Sequence, residues 1–188
     1  MYGYIKGIVT KVTPKYIIQE NNGIGYILIV PNPYSFEVNK EYMIYTYYHV
    51  REDSIELYGF MEEDEKELFL KLISVSGIGP KSALSILASG TVKEIIRAIE
   101  TRNDAYLRKF PGIGQKASQQ IILDLKGKLN FALEDFSTKS NSKLDDVEEA
   151  LVSLGYNKKE LKKYLAKLDP NKDTKELIKD ALQMLAKM

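Results

Sequence analysis

The sequence LISVSGIGPKSA at residues 72–83 returns 35 residues later as LRKFPGIGQKAS at residues 107–118. Both copies contain the pattern apolar-x-Gly-Ile-Gly-x-Lys, and Ile86 and Leu87 after the first copy match Ile121 and Ile122 after the second. Each copy lies between stretches with helical periodicity, so the pattern predicts a tight turn that joins two helices. A structural helix turn explains a single Gly-x-Gly equally well, but two copies with matched flanks favour a shared binding role.

The turn has a physical basis for binding an anion. Two glycines allow positive φ and let a ligand approach the backbone without a Cβ in the way. Unpaired amides and the positive end of the dipole then face outward where the second helix begins. This helix-hairpin-helix arrangement suits a DNA phosphate and reads no base. The predicted DNA-backbone contacts are Gly77, Gly79, Lys81, Ser82, Gly112, Gly114, Lys116 and Ala117.

The charge distribution favours the same region. The whole chain carries a net charge of +1, but residues 70–130 contain ten cations and four anions. A phosphate-bearing partner is therefore expected there first. The segment Gly79-Pro80-Lys81-Ser82 is similar to the end of a Walker A loop, which needs Gly directly before the Lys and again five residues earlier. Pro80 and Val75 occupy those positions, so no nucleotide site is predicted.

Residues 1–61 show the pattern of short β-strands. Their apolar segments are rich in β-branched and aromatic residues, and Asn22-Gly23 is typical of a two-residue hairpin turn. Five short strands in this length predict a closed OB-fold barrel. Ten of the 13 tyrosines fall here. They either fill the barrel and its collar or, on exposed strands, stack on nucleic-acid bases.

A charged segment, Arg51-Glu52-Asp53-Ser54, lies between two of the predicted strands. Such residues are typical of a solvated hairpin tip. Alternatively, the carboxylates of Glu52 and Asp53 face DNA and repel its phosphates, which would guide or separate strands. The residues alone do not decide between these two interpretations.

The rest of the chain is helical, which makes the predicted fold a multidomain α+β protein. Residues 62–133 form a helical domain with the two helix-hairpin-helix motifs, and the polar residues 134–142 form a flexible linker. Residues 143–188 contain three short amphipathic segments, which predict a small three-helix, UBA-like bundle.

Composition excludes several functions. The chain has no Cys and one His, so thiolate metal sites, Cys nucleophiles and Ser-His-Asp triads are not expected, and no catalytic residue, metal or cofactor is predicted. The longest apolar run, Tyr26 to Val30, is far shorter than the roughly 20 residues that span a bilayer. No secretory signal is visible, so a cytoplasmic protein without membrane contact is expected.

The order of barrel, paired hairpins, linker and three-helix tail resembles the RuvA family, the bacterial Holliday-junction-binding subunits of branch-migration complexes. The resemblance covers essentially the whole chain. It rests on five segments, namely residues 50–53 (VRED), 57–60 (LYGF), 75–81 (VSGIGPK), 110–114 (FPGIG) and 154–156 (LGY).

The resemblance implies a non-catalytic DNA-binding protein of recombination, repair and the SOS response. It implies a homotetramer, with an octamer on the junction as the alternative, that holds a four-way junction open and square. Glu52 and Asp53 match the family's acidic pin at the junction centre. Both Gly-Ile-Gly turns match its duplex contacts, while Leu151, Leu154 and Tyr156 match its contact with the RuvB motor ATPase. The RuvC resolvase is a further implied partner.

The second hairpin departs from the family pattern. Gln115 and Gln120 stand where the family often has Lys and Arg, which implies weaker or less salt-sensitive binding. Other functions remain open from the residues alone: a general helix-hairpin-helix DNA-binding module, a single-strand binder that uses the barrel tyrosines, or a base-excision glycosylase. The last is disfavoured by the barrel, the duplicated hairpin and the lack of an evident pocket motif.

Overall fold

The computed structural model describes residues 1–129, 143–165, 168 and 172–185. The chain divides into two compact units, of which the first contains the five strands and the first five helices and the second contains the last three helices. The predicted linker at residues 134–142 lies outside the described residues. The domain bounds 1–61, 62–133 and 143–188 stay predictions.

Five strands form one antiparallel sheet in the order β3-β2-β1-β4-β5. The sheet curls because Ile29, just beyond β3, bridges to β5. The Ile29 amide donates to the Leu57 carbonyl at 2.8 Å, and the Gly59 amide donates to the Ile29 carbonyl at 2.9 Å. This closure confirms the predicted OB-type fold. The strands are β1 (Tyr4–Val12), β2 (Ile17–Asn21), β3 (Ile24–Leu28), β4 (Glu41–Val50) and β5 (Ile55–Phe60).

Local sequence explains the hairpin between β2 and β3. Asn22 and Gly23 have φ values of 50° and 80°, as the two-residue turn requires, and the pairing of Asn21 with Ile24 closes it. Strand β1 alternates exposed and buried residues along its first half, so one face lines the interior of the barrel. The core of the barrel consists of Ile5, Val9, Ile17, Leu28, Val30, Phe36 and Ile44.

Aromatic residues join the barrel to the helices of the same unit. The ring of Phe69 on α1 lies 4.9 Å from that of Phe60 and 5.2 Å from that of Tyr58, centroid to centroid. Tyr58 is buried, whereas Tyr2 and Tyr4 are about half exposed. The tyrosines are therefore divided between packing and surface positions. Tyr58 and Phe60 of β5 belong to the core of the helices, whereas the barrel interior forms a core of its own.

Five helices complete the first unit: α1 (Glu63–Ile73), α2 (Pro80–Ser89), α3 (Val92–Glu100), α4 (Asp104–Leu107) and α5 (Gln115–Leu125). Capping boxes start two of them. Glu62 pairs with Glu65 at α1, and Thr91 pairs with Glu94 at α3. The hydrogen bonds from Thr91 hold the pKa of the Glu94 carboxyl below its usual range.

The second unit contains α6 (Lys143–Ser153), α7 (Lys158–Leu165) and α8 (Thr174–Leu185). The three helices bury a common apolar core, which confirms the predicted bundle; its members are Val147, Leu151, Leu161, Leu168, Leu177 and Ala181. Of the helices in the described ranges, none is both long and apolar enough to cross a membrane.

Candidate nucleic-acid interface

The first Gly-Ile-Gly turn joins α1 to α2. The Val75 amide donates to the Leu72 carbonyl at 3.1 Å, and the Ile78 amide donates to the Val75 carbonyl at 3.0 Å. Ile78 is buried between the helices, and Gly77 adopts a φ of 84° that disfavours any side chain. The glycine and the isoleucine together fix the path of the turn.

The second turn, between α4 and α5, has the same hydrogen bonds. The Phe110 amide donates to the Leu107 carbonyl at 3.2 Å, and the Ile113 amide donates to the Phe110 carbonyl at 3.1 Å. Ile113 is buried like Ile78, and Gly112 has a φ of 80°. The repeat in the sequence is therefore a repeat in the backbone.

Each turn is followed by a helix whose N-cap residue is a glycine and therefore has no side chain. The N-caps are Gly79 for α2 and Gly114 for α5. The first hydrogen bonds to these N-caps come from the amides of Ala83 and Ser118, at 3.0 and 2.9 Å. The second and third amides of each helix consequently have no backbone partner within the helix. They belong to Lys81 and Ser82 in α2 and to Lys116 and Ala117 in α5.

Space around the N-caps is open. Gly79 has a φ of −93° and Gly114 a φ of −88°, values that any residue adopts. A Cβ added at either glycine would meet nothing within 4 Å. Neither the backbone conformation nor packing within the chain requires glycine here. What the glycines provide is free access to the helix amides from outside.

The two turns adjoin each other. The hydroxyl oxygen of Ser82 lies 3.9 Å from the position that a Cβ on Gly112 would take. Lys81 and Lys116 are exposed, and within the described residues neither forms an ion pair or a side-chain hydrogen bond. Each unsatisfied helix N-terminus therefore has an adjacent free cation, which favours a ligand with two or more phosphates.

The second hairpin has Gln115 and Gln120 where the RuvA family often has Lys and Arg. Neighbouring cations do not replace them, because other described groups already engage these cations. Gln120 donates to the Asp124 carboxylate at 2.9 Å. The Arg108 Nε atom lies 3.3 Å from the Asp104 carboxylate, and the Lys109 ammonium lies 5.9 Å from the centre of the Tyr106 ring. Lys116 is thus the cation of this hairpin that no described group engages.

The acidic segment forms the turn between β4 and β5. The Arg51 amide donates to the Ser54 carbonyl at 2.8 Å, which places Glu52 and Asp53 at the two central positions. Both carboxylate residues are exposed. A groove of about 360 Å³ separates this hairpin from the first Gly-Ile-Gly turn; it is lined by His49, Arg51, Asp53, Ser54, Glu56, Tyr58, Gly79, Pro80, Lys81 and Ser82. The structure therefore brings the acidic tip and the first hairpin together.

Sequence reasoning missed a side-chain network at the base of this acidic hairpin. The Arg51 Nε atom donates to His49 Nε2 at 2.8 Å, and the Tyr58 hydroxyl donates to the Glu56 carboxylate at 2.5 Å. Burial, together with that bond to Glu56, raises the pKa of Tyr58 far above its usual value. The alternation of His49, Arg51, Glu56 and Tyr58 along two paired strands was the available signal.

The three residues expected to contact a motor protein differ in exposure. Leu151 is fully buried in the bundle core, whereas Leu154 is 62% exposed and Tyr156 is 38% exposed. Gly155, with a φ of 95°, ends α6 in a Schellman motif: the Tyr156 amide donates to the Leu151 carbonyl, and the Gly155 amide donates to the Val152 carbonyl. This helix end exposes Leu154 and Tyr156. Leu151, in contrast, supports the bundle from inside.

No cluster of His, Asp and Glu in the described parts of the chain is suited to hold a metal ion. The arrangement combines two adjacent helix N-termini with open amides, a groove and an exposed acidic tip. Its geometry and charge are suited to a polyanion.

Comparison with known proteins decides the family. Residues 1–59 match the RuvA N terminal domain, residues 69–127 match a SAM-like helix-hairpin-helix tandem, and residues 142–186 match the RuvA C-terminal domain. A Holliday junction branch migration complex subunit RuvA from Acholeplasma laidlawii is 54% identical over 188 residues, with both chains covered completely. The chain belongs to the RuvA family. The RuvA of Streptococcus pneumoniae serotype 4, strain TIGR4, is 52% identical over 197 aligned residues, again with both chains fully covered.

Proposed function

We propose that this chain is the Holliday-junction-binding subunit of a branch migration complex and has no catalytic activity of its own. The duplicated hairpin carries the proposal: two adjacent helix N-termini, each with open amides and a free lysine, lie in one unit with an acidic tip. The printed names of the full-length relatives describe subunits of that complex.

Phosphate contacts explain how such a subunit holds DNA without stopping its movement. Gly77, Gly79, Lys81 and Ser82 contact one backbone, and their repeats Gly112, Gly114, Lys116 and Ala117 contact a second. Contacts of this kind contain no sequence information. They therefore persist as one base pair replaces the next, and the duplex slides through the site.

The acidic tip supplies the preference for a junction. The carboxylates of Glu52 and Asp53 repel phosphates, so the backbone of an uninterrupted DNA duplex does not bind across them. Where four duplex arms part, the backbones diverge around a central opening that accommodates the tips. Four copies of the chain, arranged with fourfold symmetry, surround such a centre with one tip and two phosphate sites each. The alternative is an octamer, with a second tetramer on the opposite face.

The second unit links the subunit to its motor. Leu154 and Tyr156 present apolar surface at the end of α6, and Leu151 holds that end in the bundle. We assign this surface to the RuvB ATPase, which supplies ATP hydrolysis and force. The RuvC resolvase meets the same junction in the larger assembly, and the cytoplasmic location expected from the sequence stays a prediction.

A branch migration assay tests the proposal. A synthetic four-way junction with homologous arms is mixed with ATP and a limiting concentration of RuvB, with and without the full chain. We expect separated duplexes and faster ATP hydrolysis only when the chain is present. Equal rates with and without it contradict the proposed partnership.

A further inference from the structure

We infer that His49 is a positioning residue for DNA binding: its imidazole holds the Arg51 guanidinium at the groove between the acidic tip and the first hairpin, where Arg51 adds a cationic phosphate contact. The inference rests on the proposed function, because it names a further determinant of the same DNA-binding site.

The imidazole of His49 is held in place by its own contacts with neighbouring aromatic residues. The His49 ring lies 5.9 Å from the Tyr47 ring and 6.1 Å from the Tyr58 ring, centroid to centroid. The Tyr47 hydroxyl is 3.5 Å from His49 Nδ1. Tyr58 is itself buried against Phe69 and bonded to Glu56, so the histidine packs beside an anchored aromatic residue. The imidazole is thereby held in place as an acceptor.

Among the described residues, no group accepts from the terminal nitrogens of Arg51. Its Nε atom donates to His49 Nε2 at 2.8 Å, and the guanidinium carries four further N–H donors on its two terminal nitrogens. Those two nitrogens form the fork that binds phosphate oxygens in pairs. Arg51 and Lys81 line the same groove, as does Ser82, whose amide is one of the open amides of α2. The groove thus combines two cations with an open helix N-terminus.

Because Nε2 accepts from Arg51, the ring proton of His49 lies on Nδ1, which faces the Tyr47 hydroxyl.

A double-mutant cycle with the full chain tests the inference. His49→Leu removes the acceptor, Arg51→Gln removes the guanidinium, and His49→Gln keeps an acceptor oxygen of similar reach. Junction affinity is measured for each variant and for the His49→Leu/Arg51→Gln double variant. We expect each of the first two changes to weaken binding by about two- to fivefold per subunit, as for an exposed charged pair. Because His49→Gln keeps an acceptor, we expect it to bind the junction with near wild-type affinity.

The double variant separates positioning from a merely structural role. If His49 acts through Arg51, the double variant binds no more weakly than Arg51→Gln alone. A further loss in the double variant, or full affinity of Arg51→Gln, overturns the inference. Thermal unfolding of each variant shows whether a loss of affinity arises from unfolding. If it does, the junction affinity of His49→Gln decides whether the acceptor itself is needed.

Failure of the proposed function looks different: the wild-type chain would then bind linear duplex as tightly as a junction, whereas the coupling between His49 and Arg51 would still be measurable on duplex.

Discussion

Ser82 of the first hairpin adjoins Gly112 of the second, with the serine hydroxyl oxygen 3.9 Å from the place of a Cβ on that glycine. Two segments 35 residues apart in the repeat thus form one surface. Since each contributes open helix amides and a lysine, we expect the surface to bind one phosphate from each of the two backbones of one DNA arm.

Capping the open amides should raise the stability of the protein but weaken its binding to the junction. In the double variant Gly79→Ser/Gly114→Ser, each serine oxygen accepts from the amides that we assign to phosphate. We expect a gain of a few tenths of a kcal/mol in the free energy of unfolding per site, since serine is the better N-cap. Junction affinity should fall severalfold, as measured by fluorescence anisotropy.

Gly3→Ser is the matched control for that variant. A Cβ at Gly3 also meets nothing within 4 Å, but the residue precedes β1 and is not the N-cap of a described helix. The Gly3→Ser variant should change neither the free energy of unfolding nor the junction affinity. Unchanged junction affinity in the doubly capped variant would show that the amides do not contact DNA.

Neutralising the two free lysines should change the salt dependence of binding. Each lost phosphate contact lowers the slope of log affinity against log salt by about 0.9, so Lys81→Gln/Lys116→Gln should lower it by about 1.8 per bound subunit. Titrations between low and physiological salt measure the slope. As a control, Lys40→Gln removes a cation that Glu37 already engages at 2.6 Å. A slope equal to that of the wild type would exclude both lysines as phosphate contacts.

Removing the charge of the acidic tip should affect junction opening more than affinity. Glu52→Gln/Asp53→Asn removes two exposed negative charges near the groove, and less repulsion should leave junction binding equal or tighter. The rate of branch migration with the motor should change. Weaker junction binding in this variant would mean that the carboxylates have a structural role instead.

The residues that the sequence predicts to contact the motor should separate into one buried and one exposed class. Leu154→Ser changes an exposed side chain and should abolish motor stimulation while leaving the helical content intact. Leu151→Ala empties a buried position and should cost about 2–5 kcal/mol, enough to unfold so small a bundle. Circular dichroism and motor ATPase assays distinguish the two. Normal stimulation by Leu154→Ser would exclude this surface as the contact.

A buried glutamine should stabilise the barrel. Gln19 is fully buried and donates to the Gly7 carbonyl at 3.2 Å and to the Tyr42 carbonyl at 2.8 Å, linking β2 to β1 and β4. Its Oε1 atom has no partner among the described residues. Gln19→Leu leaves both carbonyls without this donor, so we expect a loss of about 1–3 kcal/mol in urea unfolding. Gln119→Leu, at an exposed position, is the control; equal stabilities would refute the role.

Most of the architecture could be predicted because it depends on local signals. Asn22-Gly23 fixes a hairpin through its own backbone preferences, and each Gly-Ile-Gly turn depends on a glycine with positive φ and a buried isoleucine. The two turns therefore have the predicted form.

Relationships across the fold could not be predicted. The approach of Ser82 to Gly112 depends on how α2 packs against the second hairpin. Leu151 and Leu154 have similar side chains three positions apart, and only the packed bundle shows that one is buried and the other exposed. Tertiary packing decides these features, and local pattern does not contain it.

Competition binding at physiological salt distinguishes a junction-binding protein from a general DNA-binding protein. A labelled four-way junction bound to the full chain is challenged with unlabelled junction, linear duplex and single strand of equal length. We expect the junction to compete far more strongly than duplex, because the acidic tips exclude a continuous backbone, and single strand to compete least. Equal competition by duplex and junction would contradict this expectation and leave the paired hairpins as a general phosphate clamp.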